Sequence, residues 1–218
     1  MIIKKDLYNN IFGLENFNVK TKQDISDIQK EVAVIFIDIY KFSEKIEGYN
    51  DYDITLYLKR FYDIVLPIIN NYGGKIEKII GDGIIAVFSD LFNQNNNENN
   101  IFENAYNCCK HIIKYLSDNC PTYESKAAIS KGNVLFYTIN DEVYDYYEVT
   151  CIGQPLTEVY RLENIAERNE ILFFEDPIEP AYDNIPYDYV KWFASYNINR
   201  NFKGLGERIY NKVIYKSE

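Results

Sequence analysis

Apolar residues along the chain fall into short runs and stripes, divided by glycines, asparagines and charged stretches. The first run, Val32-Ala33-Val34-Ile35-Phe36-Ile37, is continuous and predicts a strand covered on both faces. Ile54, Leu58, Phe61, Val65, Ile68 and Tyr72 then recur at intervals of three and four. That spacing predicts an amphipathic helix, capped by Asn50 or Asp51 and stopped by Gly73-Gly74. Pro67 within it predicts a kink or an early end. Lys75 to Ile80 and Ile84 to Phe88 flank Gly81-Asp82-Gly83, the pattern of a β-hairpin. The asparagine-rich stretch 93–100 predicts an exposed loop. A second helix carries Phe102, Ala105, Cys109, Ile112 and Leu116 on one face, with His111 off that face. Further strands are predicted at Lys126 to Ser130, Val134 to Tyr137, Tyr146 to Ile152 and Ile171 to Phe174. A helix is predicted from Pro155 to Ala166, with Pro155 in its first turn. The tail from Phe202 to Tyr215 predicts an edge strand.

The order strand, helix, two strands, helix, strand predicts an α+β fold. It is the ferredoxin-like βαββαβ sheet with helices on one face, plus appended strands and helices. Residues 1–30 are polar and weakly patterned and read as an N-terminal extension. Residues 31–218 read as one domain, in keeping with a length of 218 residues.

Charge narrows the function classes. Lys and Arg number 23 against 33 Asp and Glu, a net charge of −10. A broad phosphate-neutralising surface does not fit that balance, so no nucleic-acid partner is expected. An anionic small ligand remains compatible if metal ions or a few placed cations hold it. No apolar run approaches the ~18 residues of a membrane span, and the first residues lack the apolar core of a signal peptide. A cytoplasmic protein without a membrane segment is the expectation. The four cysteines, Cys108, Cys109, Cys120 and Cys151, form no CxxC pair and there is one histidine, which excludes a zinc site of ordinary spacing. Reduced thiols are expected.

Two carboxylates stand where chemistry concentrates. Asp38 ends the first strand and Asp82 occupies the hairpin tip. In a ferredoxin-like sheet those two elements are neighbours, so the carboxylates converge. With a backbone carbonyl, here that of Ile39, such an oxygen donor set suits Mg²⁺ or Mn²⁺, ions that hold triphosphates.

On these residues the chain resembles the class III nucleotide cyclases, the adenylate and guanylate cyclase superfamily. Phe36-Ile37-Asp38-Ile39-Tyr40-Lys41-Phe42-Ser43 is similar to that family's first metal motif, and the hairpin from Gly73 to Phe88 to its second. The segment Gly153 to Glu163 resembles the catalytic helix, and Phe202-Lys203-Gly204-Leu205-Gly206-Glu207 the terminal segment. The related diguanylate cyclases carry Gly-Gly-Asp/Glu-Glu-Phe at the hairpin, where this chain reads Gly81-Asp82-Gly83-Ile84-Ile85.

The resemblance implies that Asp38 and Asp82, with the Ile39 carbonyl, bind two Mn²⁺ or Mg²⁺ ions per site. It implies that Lys78 and Thr150 read the base, that Arg161 stabilises the charged transition state, and that Lys203 contacts the triphosphate. It also implies a homodimer, because in that family the metal carboxylates and the base, Arg and Lys positions come from different subunits. The chain departs from the pattern at Thr157, where the helix usually carries an Asn that orients the ribose. It departs again at Tyr40 and Lys41, where small residues are usual. Tyr40 either narrows the nucleotide pocket or packs at the strand end.

A cyclase without fused sensor or membrane segments, with Tyr40 and Thr157 as its departures, resembles the pyrimidine cyclases of Pycsar antiphage systems. The expected activity is therefore conversion of a nucleoside triphosphate, UTP ahead of CTP, to a 3′,5′-cyclic nucleotide and pyrophosphate. The product would signal to a separate cyclic-nucleotide-responsive effector in antiviral defence. An adenylate cyclase making cyclic AMP is the alternative, favoured by Lys78 with Thr150. A cyclase-like domain that binds nucleotide without turnover is a third reading.

Overall fold

The computed structural model describes residues 28–92, 101–141, 146–176 and 191–216. Strand β1 spans Ile28–Ile39 and ends in a single helical turn, α1, at Phe42–Lys45. Helix α2 follows at Asp51–Asn71, then the hairpin of β2, Lys75–Ile80, and β3, Gly83–Phe88. Helix α3 spans Ile101–Asn119, β4 Ser125–Asp141, β5 Tyr146–Gly153 and α4 Gln154–Glu163. The chain ends in β6, Glu170–Phe173, β7, Trp192–Phe202, and β8, Gly206–Tyr215.

The strands form one sheet in the order β2-β3-β1-β4-β6-β8-β7, with β5 paired to β4 off that path. The run β2-β3-β1-β4 is antiparallel throughout and is the ferredoxin-like core that the sequence predicts. Strand β1 has hydrogen-bonded neighbours on both sides, which explains its unbroken apolar run: residues Val32 to Ile37 are all buried. Its alternate side chains feed two cores. Ala33, Ile35 and Ile37 pack under α2 and α3, while Val32, Val34 and Phe36 pack under α4. The two core helices therefore share one face, and the appended α4 covers the other.

Four differences from the sequence expectation have physical reasons. First, β1 starts at Ile28, so residues 28–30, assigned to the extension, pair with β4 through Val134 to Phe136. Backbone pairing runs on past the apolar stretch because the ladder needs no buried side chains. Second, Pro67 does not end α2, which continues to Asn71. Its ring lies on the exposed face, where loss of one helical hydrogen bond is tolerated. Third, the two strands predicted at Lys126 to Ser130 and Val134 to Tyr137 are one, β4, running through Lys131-Gly132-Asn133. Gly132 continues β4 opposite Val32, and a side chain there would meet the Pro155 ring at 3.0 Å. Its missing Cβ makes room for α4. Fourth, the tail is a hairpin rather than a lone edge strand. β8 lies inside the sheet between β6 and β7, and β7 forms the edge.

The remaining expectations meet the structure simply. Asn50 caps α2, its side chain accepting from the Asp53 N–H at 3.0 Å. α4 closes at Glu163, short of Ala166. All four cysteines are free thiols. His111 packs edge-on against Tyr72. Among the described residues no helix is long and apolar enough to cross a membrane. Residues 1–27 and the asparagine-rich stretch 93–100 lie outside the described residues.

Because Ile35 is fully buried in the strand shared by both cores' framework, Ile35→Ala should cost about 2–5 kcal/mol of stability. Urea unfolding read by far-UV circular dichroism checks this, and a midpoint unchanged from that of the unaltered protein would contradict it.

Candidate active site

Asp38 lies at the penultimate position of β1, directly opposite Lys126 of β4. On its other side β1 pairs with β3 as far as Ile37 with Ile84, which brings the hairpin tip beside Asp38. Both glycines of the tip are needed. Gly81 adopts φ +59°, a left-handed conformation that L side chains rarely adopt, and a Cβ on Gly83 would sit 2.6 Å from the Phe36 ring. The Tyr62 hydroxyl, from α2, donates to the Gly81 carbonyl and ties the tip to the helix. The outcome is that the carboxyl groups of Asp38 and Asp82 come together.

Electrostatics at this pair are unfavourable without a cation. Burial first, then the charge of Asp82, pushes the Asp38 carboxyl up to about 8. Burial also raises Asp82. Lys126 tempers the pair. Its ammonium lies 3.8 Å from Asp38 and 2.7 Å from Glu163 at the end of α4. Glu163 adds a third negative charge that acts on both aspartates. Among the described residues no three His, Cys, Asp or Glu side chains gather as a metal cluster. The donor set is instead two carboxylates and the backbone carbonyl of Ile39, all hard oxygens. Two like charges held together in partial burial are relieved by a divalent cation, so the residues fit Mg²⁺ or Mn²⁺.

Tyr40, next along the chain, donates its hydroxyl to Glu167 at 2.8 Å. Its ring is thereby tied to the loop after α4. Lys41 turns the chain with φ 54° and pairs with Glu44 at 3.0 Å on the surface.

The other site residues lie elsewhere. On α4, Thr157 is exposed and Arg161 follows one turn later on the same face. The helix is held to β4 through Glu158, a buried carboxylate that accepts from Ser130 and from Gln154. The Arg161 guanidinium comes beside Gly204, in the β7–β8 turn that also carries Lys203. Among the described residues its buried Nε has no hydrogen-bond partner. A buried, unpaired guanidinium nitrogen is costly and is suited to an anion. Lys203 itself is exposed.

Lys78 and Thr150 belong to a third group. Between Ile76 and Lys78 the β2–β3 register shifts by a bulge, which leaves Glu77 as the extra residue. Glu77 accepts from the Thr150 hydroxyl and from the Cys151 N–H. Burial raises its pKa, and those two donors oppose the rise. Lys78 is exposed. No hydrogen bond or ion pair among the described residues joins this group, or that of Arg161, to the carboxylate pair.

Three contributors escape the sequence reading. Lys126 could have been found from register, since it faces Asp38 across the ladder. Glu163 lies two residues beyond Arg161. Glu77 had no signal, because a bulge leaves no mark in the apolar pattern.

Comparison with known proteins fits this arrangement. No family model matches the chain. It is 24% identical over 139 residues to an uncharacterized protein of Mycobacterium tuberculosis, covering 64% of this chain and 24% of that protein. The chain thus spans about a quarter of the length of the curated relatives it matches. Among solved structures it is similar to the adenylyl cyclase CyaB of P. aeruginosa, with TM-score 0.70 and 20% identity over 88% of this chain and 96% of that one. It is also similar to the guanylate cyclase domain of RhGC from Catenaria anguillulae in complex with GTP. There the TM-score is 0.68 at 16% identity, covering 87% of this chain and 100% of that one. The fold is that of a class III nucleotide cyclase catalytic domain. On the cyclase fold, the carboxylate pair lies at the end of the ferredoxin-like core, whereas Arg161 and Lys203 come from the appended helix and hairpin.

The raised carboxyl values fix the sign of a pH effect. Above the ordinary Asp value of about 3.9 the unfolded chain has released protons that the folded pair still holds. The metal-free protein therefore loses stability as pH rises through that range toward the raised folded values. Asp38→Asn should flatten this dependence and raise the metal-free Tm at pH 8. Thermal unfolding in EDTA at pH 6 and pH 8 checks it. Added Mn²⁺ should raise the Tm of the unaltered protein and leave the variant unmoved.

Proposed function

We propose that the chain is a nucleotide cyclase. It converts a nucleoside triphosphate to a 3′,5′-cyclic nucleotide and pyrophosphate at sites shared between two copies of the chain. The observation that carries this reading is the separation of two complementary groups on the fold. The Asp38 and Asp82 carboxyls come together at the end of the core, and the Arg161 guanidinium stands beside the β7–β8 turn that carries Lys203. The first set suits divalent ions and the second an anion, which one triphosphate with its ions would supply together.

Asp38, Asp82 and the Ile39 carbonyl would hold two Mn²⁺ or Mg²⁺ ions. Bound there, the ions supply charge neutralisation for the triphosphate and favour ionisation of the ribose 3′-hydroxyl. From the second copy, Arg161 stabilises negative charge on the α-phosphate as the 3′ oxygen bonds to it and the bond to the β-phosphate oxygen breaks. Lys203 holds the β- and γ-phosphates, which leave as pyrophosphate. The Thr157 hydroxyl donates to the ribose, a shorter reach than an Asn amide. Lys78 and Thr150 read the base.

Within this reaction the base is a pyrimidine, UTP ahead of CTP. Tyr40 supports this as a bulky ring two residues past Asp38, held in place by Glu167. Lys78 supports it as a donor that suits a uracil carbonyl. The cyclic product would act on a separate effector, in the manner of antiphage signalling.

The test is incubation with each of the four triphosphates and Mn²⁺, with products separated by chromatography. Cyclic UMP as the leading product is expected. Dominant cyclic AMP would replace the pyrimidine assignment with adenylate cyclase, and absence of any cyclic product would leave a nucleotide-binding domain without turnover. Arg161→Ala should lower kcat by about 10²–10³-fold. Mixing inactive Asp82→Ala with inactive Arg161→Ala should restore turnover, because a mixed dimer carries one site with both intact halves. Silence from freely exchanging subunits would refute shared sites.

A further inference from the structure

The base-reading pair named from the sequence is Lys78 with Thr150, but the structure inserts a third group between them. The bulge in β2 makes Glu77 the extra residue of the ladder while Lys78 stays opposite Ile85. Bulges of this kind re-aim side chains next to functional sites. Here the result is that a carboxylate and an ammonium, adjacent in sequence, are delivered from one point of the strand.

Glu77 is half-buried, and one of its oxygens, Oε1, takes two donors. They are the Thr150 hydroxyl and the Cys151 N–H, the latter at 3.2 Å. An ionised carboxylate can only accept. The Thr150 hydroxyl has one proton, and Glu77 uses it. What remains on Thr150 is lone pairs, so toward any further partner it can only accept. A threonine alone offers either polarity to a base and cannot discriminate. A threonine whose proton is committed offers one.

We infer that Glu77 is a specificity-determining positioning residue. By taking the Thr150 proton it makes the reading head an acceptor beside the Lys78 donor, so the head takes a nucleobase edge that presents an N–H next to an acceptor. This rests on the cyclase reading proposed above and deepens it. Uracil and guanine meet the requirement with a ring N–H beside a carbonyl, cytosine and adenine with an amino group beside a ring nitrogen. The two pairs present donor and acceptor in opposite order, so a head of fixed polarity takes one pair over the other. Methylating that N–H or removing it leaves Thr150 facing no donor. A buried polar group left unpaired is what makes such discrimination steep.

The role differs from that of a structural tie between β2 and β5. A tie, when cut, lowers stability and turnover of all substrates alike. A polarity-setting residue, when altered, changes the ratio among substrates. Glu77→Gln keeps the shape but presents an amide that can donate to or accept from Thr150, and so frees the hydroxyl to turn either way. Thr150→Val removes the hydroxyl and keeps the volume.

The experiment is a competition among all four triphosphates at equal concentration with Mn²⁺, run on the full chain, on Glu77→Gln and on Thr150→Val, with Tm measured for each. The ratio of the leading cyclic product to the best product of the opposite donor–acceptor order should fall ~10-fold in Glu77→Gln, through a rise in KM for the leading substrate larger than the fall in kcat. Thr150→Val should give the same relaxation, and the double variant should add nothing further, since the two residues act as one unit. An unchanged product ratio in folded Glu77→Gln overturns the assignment while the cyclase reading stands. So does an unaltered chain that uses all four bases equally. Should Glu77→Gln fail to fold, Thr150→Val decides alone, by the same ratio. Absence of any cyclic product from the unaltered chain overturns the cyclase reading and this inference with it.

Discussion

Two like-charged carboxylates meeting at the end of a sheet is the constraint from which the rest of the candidate site follows. Nothing about Asp38 and Asp82 makes them attractive to one another. They are forced together by backbone pairing: β1 runs antiparallel to β3, and the tip of the β2–β3 hairpin overhangs the end of the ladder. The buried side chains of β1 lock that register, because a slip by one residue would exchange its two apolar faces. Packing energy distributed over two cores thus holds an electrostatic conflict in place. The flanking groups moderate it. Lys126 stands across the ladder from Asp38 and is itself held by Glu163, so the positive charge near the aspartates is fixed by α4 as well as by β4.

Helix α4 shows the complementary arrangement. It is fastened by its buried side, with Pro155 over Gly132 and Glu158 taking donors from Ser130 and Gln154. The residues that would do chemistry, Thr157 and Arg161, are on the part left over. Holding the scaffold side rigidly fixes where the Arg161 guanidinium stands, beside Gly204 of the β7–β8 turn.

Much of this was legible in the sequence where side-chain periodicity reports burial. The doubly covered β1, the α3 stripe and the Gly-Asp-Gly hairpin could be read because each is a local pattern with a local cause. Asp38 and Asp82 could be paired on paper because the ferredoxin-like order makes their elements neighbours. What could not be read depends on nonlocal contact. Gly132 separates two predicted strands in the sequence, yet it lies within one strand beneath Pro155. The tail looked like a lone edge strand because β7 alternates half-buried and exposed positions with polar residues among them, which hides its pairing with β8. Glu77 was passed over for Lys78 because spacing arguments assume an unbroken ladder, and a bulge breaks the count.

Strand β4 carries one more consequence. Its 17 residues extend about 55 Å at the usual rise per residue, farther than its neighbours in the core can follow. β1 accompanies it only to Phe136, and from there β5 is its partner. The far end is therefore a two-stranded ribbon, a structure marginal in water by itself. At its base Leu135 and Ile152 lie opposite one another and are 42% and 59% exposed. On the shared-site reading, a second copy that also covered this apolar pair would link the order of the arm bearing Thr150, and with it catalytic competence, to protein concentration by mass action.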